Sequence, residues 1–254
     1  MKKATYPTLF RYNVVAGTLH AVSAILILVL ANNFSLPVGA RFLAGAPGTT
    51  KRELVHFFDI RMAWLVAAFF LLSSLAHFLV AGPLRSNYET RLRKNQNPFR
   101  WLEYSVSSSL MILAIAQLTG ISDVAALIAL IGVNGSMIGF GWMQERYEEP
   151  GGGLGPFWLG CVAGIFPWIA IGIYLIGPGA HEHAPGFVYA IYISLFVFFN
   201  CFAIVQYLQY RQVGRFRDYL VGEKTYLILS LVAKSLLAWQ IFAAALASSQ
   251  ATGH

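Results

Sequence analysis

The sequence predicts an all-α membrane protein: one bundle of seven transmembrane helices, with the amino terminus cytoplasmic and the carboxyl terminus extracellular. Three observations carry that prediction. Hydrophobic residues make up 57% of the 254 residues and charged residues only 11%, too little polar surface for a water-soluble globule of this length. Apolar runs of about twenty residues, each long enough to cross about 30 Å of hydrocarbon as a helix, lie near 12–31, 62–81, 98–117, 121–142, 157–176, 186–208 and 225–247. The basic residues, finally, divide unequally between alternate loops.

The first run follows Lys2 and Lys3 and contains His20. It is too long for the apolar segment of a cleaved signal peptide and is expected to stay as the first span. The longest loop, about residues 32–60, comes next, and its Gly45, Pro47 and Gly48 favour turns over a helix. The second run places His77 close to its inner end. The third opens at Pro98 and carries Arg100, Glu103 and the serine run SVSSS. Gly135 and Gly139 in the fourth and Gly160 and Gly164 in the fifth are pairs of small residues four apart, a spacing that lets helix backbones approach closely. The sixth holds FVFFN at 196–200, and the last, TYLILSLVAKSLLAWQIFAAALA, has Lys234 near its middle. Cys161 and Cys201 fall inside apolar runs, where free cysteine acts as a small hydrophobe, so no disulfide framework is implied. There is no tandem repeat, and residues 1–254 are expected to form a single domain.

Orientation follows from the charges. With the amino terminus inside, the inner loops and span ends hold Lys2, Lys3, Arg11, Arg85, Arg91, Arg93, Lys94, Arg100, Arg146, Arg211, Arg215, Arg217 and Lys224, against Arg41, Lys51, Arg52 and Arg61 outside. This bias is the positive-inside pattern of a multi-pass protein of the cell membrane. It also accounts for the net charge of +7. The basic residues are not interleaved with aromatics, so no nucleic-acid partner is expected.

Charge inside a span demands a reason. Lysine at the centre of a membrane helix costs about 2.5–3.5 kcal/mol, so Lys234 needs either a partner or a chemical purpose. Two purposes fit: a structural ion pair, or an amine shielded for Schiff-base chemistry with an aldehyde. Glu103 is the one acidic residue that reads as clearly inside a span and is the candidate partner. Arg100, three positions earlier on the same helical face, either shares the Glu103 charge or snorkels to the interface. His20 and His77 join the same inner half, as core histidines or as a pair able to hold and exchange a proton. Neither has a cysteine or further carboxylate at ligand spacing, so no metal site is expected. Ser107 lies one turn beyond Glu103, and Ser230 one turn before Lys234. Each can face the space of its charged neighbour or bond back to its own helix. Trp158, Tyr207 and Tyr210 sit at span ends and read as interface residues. Tyr104, Trp168 and Phe199 lie inside spans, as core or as the walls of a flat apolar slot.

Seven helices with a lysine in the middle of the last and a single carboxylate in the third resemble a microbial-type rhodopsin, but with the amino terminus inside rather than outside. With that inversion, the segments KNQNPFRWLEYSVSSSLMI (94–112), GVNGSMIGFGWMQE (132–145), PFWLGCVAGIFPW (156–168), ISLFVFFNCFAIVQYLQY (193–210) and LSLVAKSLLAWQIF (229–242) resemble heliorhodopsin over essentially the whole chain. The resemblance implies a rhodopsin-like bundle and all-trans retinal bound through a protonated Schiff base on Lys234, with Glu103 as counterion. It implies that His20 and His77 form a polar pocket on the Schiff-base side, with Arg100 beside it. Tyr104, Ser107, Ser108, Met137, Trp168, Phe199, Asn200 and Ser230 match positions at or near the chromophore. It also implies a structured first outer loop and a homodimer within membrane lipid.

Three functions compete on these grounds. The first is a light sensor whose isomerising chromophore drives a photocycle and a signal to an unknown partner, with neither enzymatic chemistry nor ion pumping. The second is a light-driven or light-gated ion translocator. The third is a membrane enzyme or transporter in which Lys234 and Glu103 are a plain ion pair. The spans show no second carboxylate on the side opposite Glu103, which favours the first.

Overall fold

The computed structural model describes residues 5–43, 45–48, 55–177 and 184–251, with side chains through 243. Lys2, Lys3, Lys51 and Arg52 lie outside the described residues. Its elements are α1 (Tyr6–Val29), β1 (Ser35–Ala40), β2 (Val55–Arg61), α2 (Met62–Ala81), α3 (Arg85–Leu92), α4 (Pro98–Leu118), α5 (Val124–Tyr147), α6 (Gly155–Ile176), α7 (Gly186–Tyr210) and α8 (Tyr219–Ala251). Six of these helices, α1, α2, α5, α6, α7 and α8, are long and apolar enough to cross a membrane. The 21-residue α4 covers the expected third span and is comparably long, but it carries Arg100, Glu103 and the serine run, which make it more polar.

Local chemistry sets the helix starts. Thr5 caps α1 through a bond accepted from the Thr8 amide, and Pro7 fits the first turn, where its missing N–H goes unneeded. Asn97 and Pro98 repeat the arrangement at α4, and the Asp123 carboxylate accepts from the amides of Ala125 and Ala126 at α5. These caps start α1 at residue 6 rather than 12. At the other end of the chain, α8 begins at residue 219 rather than 225, inside a polar segment that hydropathy assigns to a loop.

Around the bundle, α1 packs on α2, α2 on α4, α4 on α5, α5 on α6, α6 on α7, α7 on α8 and α8 on α1. One end is closed by a cluster of Leu9, Val80, Tyr88 and Leu92, which gathers the start of α1, the end of α2 and the short helix α3. Hydropathy gave no sign of α3, because its residues RSNYETRL are polar apart from Tyr88 and Leu92, which it buries. At the opposite end β1 and β2 form an antiparallel hairpin. The expectation of turns there holds for Gly48, whose φ of 83° is open to glycine, but the flanking segments pair as strands. Val38 enters the core, and the Gly39 amide donates to the Ser122 carbonyl, so the hairpin is docked on the start of α5. The main core lies towards this hairpin end and includes Phe69, Phe70, Ile112, Ile115, Leu237 and Ile241.

Several placements correct the sequence reading. Tyr210 is buried, and its hydroxyl donates to the Gln144 carbonyl, so it ties α7 to α5 instead of sitting at an interface. Trp158 is exposed as expected of an interface residue. The paired glycines behave differently from each other. A Cβ on Gly160 would sit 3.3 Å from Phe140 Cβ, and one on Gly164 2.5 Å from Met137 Sδ, so these two serve packing of α6 on α5 within one chain. Gly135 and Gly139 have open space where a Cβ would stand.

Candidate functional site

Lys234 is buried midway along α8, and its ammonium makes two hydrogen bonds. Its Nζ donates to Glu103 Oε1 of α4 at 2.7 Å and to Ser73 Oγ of α2 at 2.6 Å. The Ser73 hydroxyl lies 2.6 Å from the same Glu103 oxygen and 2.8 Å from the Phe69 carbonyl, and its one proton serves one of them. Three helices thus meet at one charge pair, whose side chains are only 3% and 9% exposed. A pair so enclosed is held by geometry and hydrogen bonds, because water does not screen it.

The ammonium stands 5.5 Å from the centre of the Tyr104 ring and lines a cavity of about 170 Å³ swept by the centre of a water molecule. Tyr104, Ser107, Ser108, Met137, Trp168, Phe199, Asn200 and Ser230 all line that cavity with Lys234. Trp168 forms its aromatic wall, with Phe196 and Phe199 edge-on to it at 5.4 and 5.3 Å, and Tyr192 donates to the Trp168 carbonyl. Ser107 is buried with no hydrogen-bond partner for its hydroxyl. Asn200 is the least committed of the set: its amide donates back to the Phe196 carbonyl. Gly141 makes further room, since a Cβ there would lie 2.6 Å from the Trp101 ring.

Behind the charge pair, His20 of α1 and His77 of α2 stack with ring centres 5.5 Å apart and 11° between planes. His77 Nδ1 lies 2.9 Å from Asn13 Oδ1, so it carries the proton and donates. Neither nitrogen of the fully buried His20 has a partner. The stack depends on close approach of α1 to α2 at Gly17, where a Cβ would stand 3.2 Å from the His77 Cβ, and Ser74 donates to the Gly17 carbonyl.

Arg100 differs from the sequence reading in its ion-pair partners. Its guanidinium pairs with Glu145 and Glu223, not with Glu103, and is buried rather than snorkelling, while it lines one cavity with His77, Asn13 and Glu103. One helical turn below Glu103, it reaches the end of α5 and the start of α8, and both supply carboxylates there. Glu145 and Glu223, which lie outside the expected spans, are buried too, at 5% and 1% exposed. Sequence reasoning also missed Ser73 and Asn13. Ser73 lies one turn before His77 on the same face, and Asn13 is the only amide in its apolar run; both were usable signals.

A family model for heliorhodopsin matches residues 9–246. The chain belongs to the heliorhodopsin family. No curated protein matches it in sequence. Among solved structures, the heliorhodopsin chain is similar to xanthorhodopsin, a light-driven ion pump with dual chromophore, at TM-score 0.69 and 14% identity over 98% of this chain and 96% of that one. It is also similar to the light-driven proton pump CsR of Coccomyxa subellipsoidea (TM-score 0.62, 17% identity, 92% and 95% covered) and to the light-driven proton pump LR (Mac) of Leptosphaeria maculans (0.60, 15%, 96% and 96%). At these identities the likeness is one of fold. Family membership implies a membrane protein with a retinal chromophore. The residues fit that group: the apolar aromatic cavity suits a polyene, and the amine that lines it already has a carboxylate and a hydroxyl in place.

Proposed function

We propose that this heliorhodopsin is a light-sensing photoreceptor, neither an enzyme nor an ion pump. The observation that carries the reading is the Lys234 ammonium on the wall of an aromatic cavity, 2.7 Å from a buried Glu103. Bound there in all-trans form as a protonated Schiff base on Lys234, retinal supplies visible absorption and a light-driven change of shape. The protein's residues do the rest. Glu103 holds the negative charge that matches the cation at Nζ, and Ser73 fixes the orientation of both. Trp168, Phe196 and Phe199 exclude water and confine the polyene. Glu103, His20 and His77 are the groups positioned to receive a proton displaced from Nζ, and the stacked, partly unpartnered histidines give it a place to stay. A shift of charge among groups on α1, α2, α4 and α8 biases the packing of those helices, which is the signal.

In the reading proposed here α4 spans with the other six long helices, and the end bearing α3 and the basic segments faces the cytoplasm. That places the hairpin outside. Towards the hairpin lies the apolar core of Phe69, Ile112 and Leu237, which supports sensing over transport. Two copies are proposed to pair through the open α5 face at Gly135 and Gly139. Photocurrent and pH recordings on illuminated cells test the sensor against a translocator. The expected result is a photocycle without sustained current or pH change; a sustained light-driven current establishes translocation instead.

A further inference from the structure

The buried charged side chains among the described residues are Arg100, Glu103, Glu145, Glu223 and Lys234. Lys234 and Glu103 balance each other, which leaves two carboxylates on one guanidinium. An uncompensated charge shielded from water is unfavourable enough that a buried acid takes up a proton. Glu145 has the fuller set of donors: the Asn97 amide, Arg100 Nη2 and the Tyr219 hydroxyl at 3.0 Å. Three donors to its two oxygens describe a carboxylate. Glu223 accepts only from Asn97 Nδ2 at 2.7 Å, beside its ion pair with Arg100 Nη1.

Glu223 also lines a second cavity, of about 40 Å³ on the same measure, together with Arg100, Glu103 and His77. At about 10–15 Å³ per water centre that is room for about three or four waters. The hydroxyl of Tyr226, which is 2% exposed and has no hydrogen-bond partner, lines it as well. Nothing else there supplies a compensating charge. Tyr88 stays neutral, its phenol pushed up to about 12 by burial, and the Lys224 ammonium is turned to the Tyr12 ring at 4.8 Å.

We propose that Glu223 carries a proton in the resting protein, so that Glu145, Arg100 and Glu223 form a proton-binding site that shares a water-sized cavity with Glu103 and His77. A proton leaving Glu223 enters the cavity and leaves a carboxylate on Arg100; its return restores the acid. The site does not depend on the chromophore, so it is tested on retinal-free protein as well as on pigment. Infrared spectra with isotope-labelled glutamate report the carbonyl stretch of a protonated acid. The expected result is one such band at neutral pH in the parent protein. Glu223→Gln loses it, and so does Glu145→Gln, because the remaining glutamate then has Arg100 to itself. The double variant Lys234→Met/Glu103→Gln, which removes both charges of the other pair, keeps it. Absence of the band from the parent, its survival in Glu223→Gln or in Glu145→Gln, or its loss from the double variant overturns the assignment. The parent spectrum decides even where a single variant does not fold.

Discussion

Replacing Glu103 by glutamine in retinal-free protein leaves the buried Lys234 ammonium facing an amide. At 2.7 Å, and with an effective dielectric constant of about 20, the attraction that is lost is about 6 kcal/mol. Desolvation of the two ions offsets part of it, and removing one partner of a buried pair costs about 3–5 kcal/mol. Lys234→Met alone strands the carboxylate at similar cost. The double variant Lys234→Met/Glu103→Gln removes both charges, and Ser73 still has the Phe69 carbonyl to bond, so its stability should lie within about 1 kcal/mol of the parent. Equilibrium unfolding of all four proteins in one detergent gives the coupling directly. A double variant that loses the sum of the two single losses would show that the groups do not act as a pair, and the electrostatic account of the site would fail.

Other outcomes follow from the same geometry. In pigment, Glu103→Gln should move the absorption maximum to longer wavelength, because the carboxylate stabilises the ground-state cation; an unchanged spectrum assigns the counterion to another group. His20→Ala with His77→Ala should leave pigment formation intact and change the rate of recovery after a flash, and kinetics identical to the parent would reduce the stack to packing. Gly135→Leu should weaken self-association while the fold survives, whereas Gly160→Leu should destabilise the monomer through its clash with Phe140 and Met137. A parent protein that is monomeric in both detergent and lipid, by cross-linking or mass photometry, removes the dimer.

The long helices were legible because membrane spans advertise themselves by length and apolarity, and Lys234, Glu103 and the two histidines because a titratable group in such a run stands out. The lining of the aromatic cavity was legible only through family resemblance: nothing in the spacing of Met137 or Ser108 distinguishes a cavity wall from core. Glu145 and Glu223 were missed for a physical reason. Each sits at a helix end, where sequence reads a solvated loop, and burial comes only when α5 and α8 converge on Arg100. The glycine pairs were legible in part, because spacing shows that a neighbour can come close and not whether it belongs to the same chain. Order in the first outer loop was legible only through the family resemblance, and α3 was hidden in a polar segment; both are ordered by docking, through Val38 and Tyr88, onto the bundle ends.

The central claim is that Lys234 carries retinal. Protein made with all-trans retinal should be coloured, should bleach with hydroxylamine, and should lose its visible band in Lys234→Ala while the variant remains folded. A colourless parent protein, or a Lys234→Ala variant with an unchanged visible band, contradicts the account.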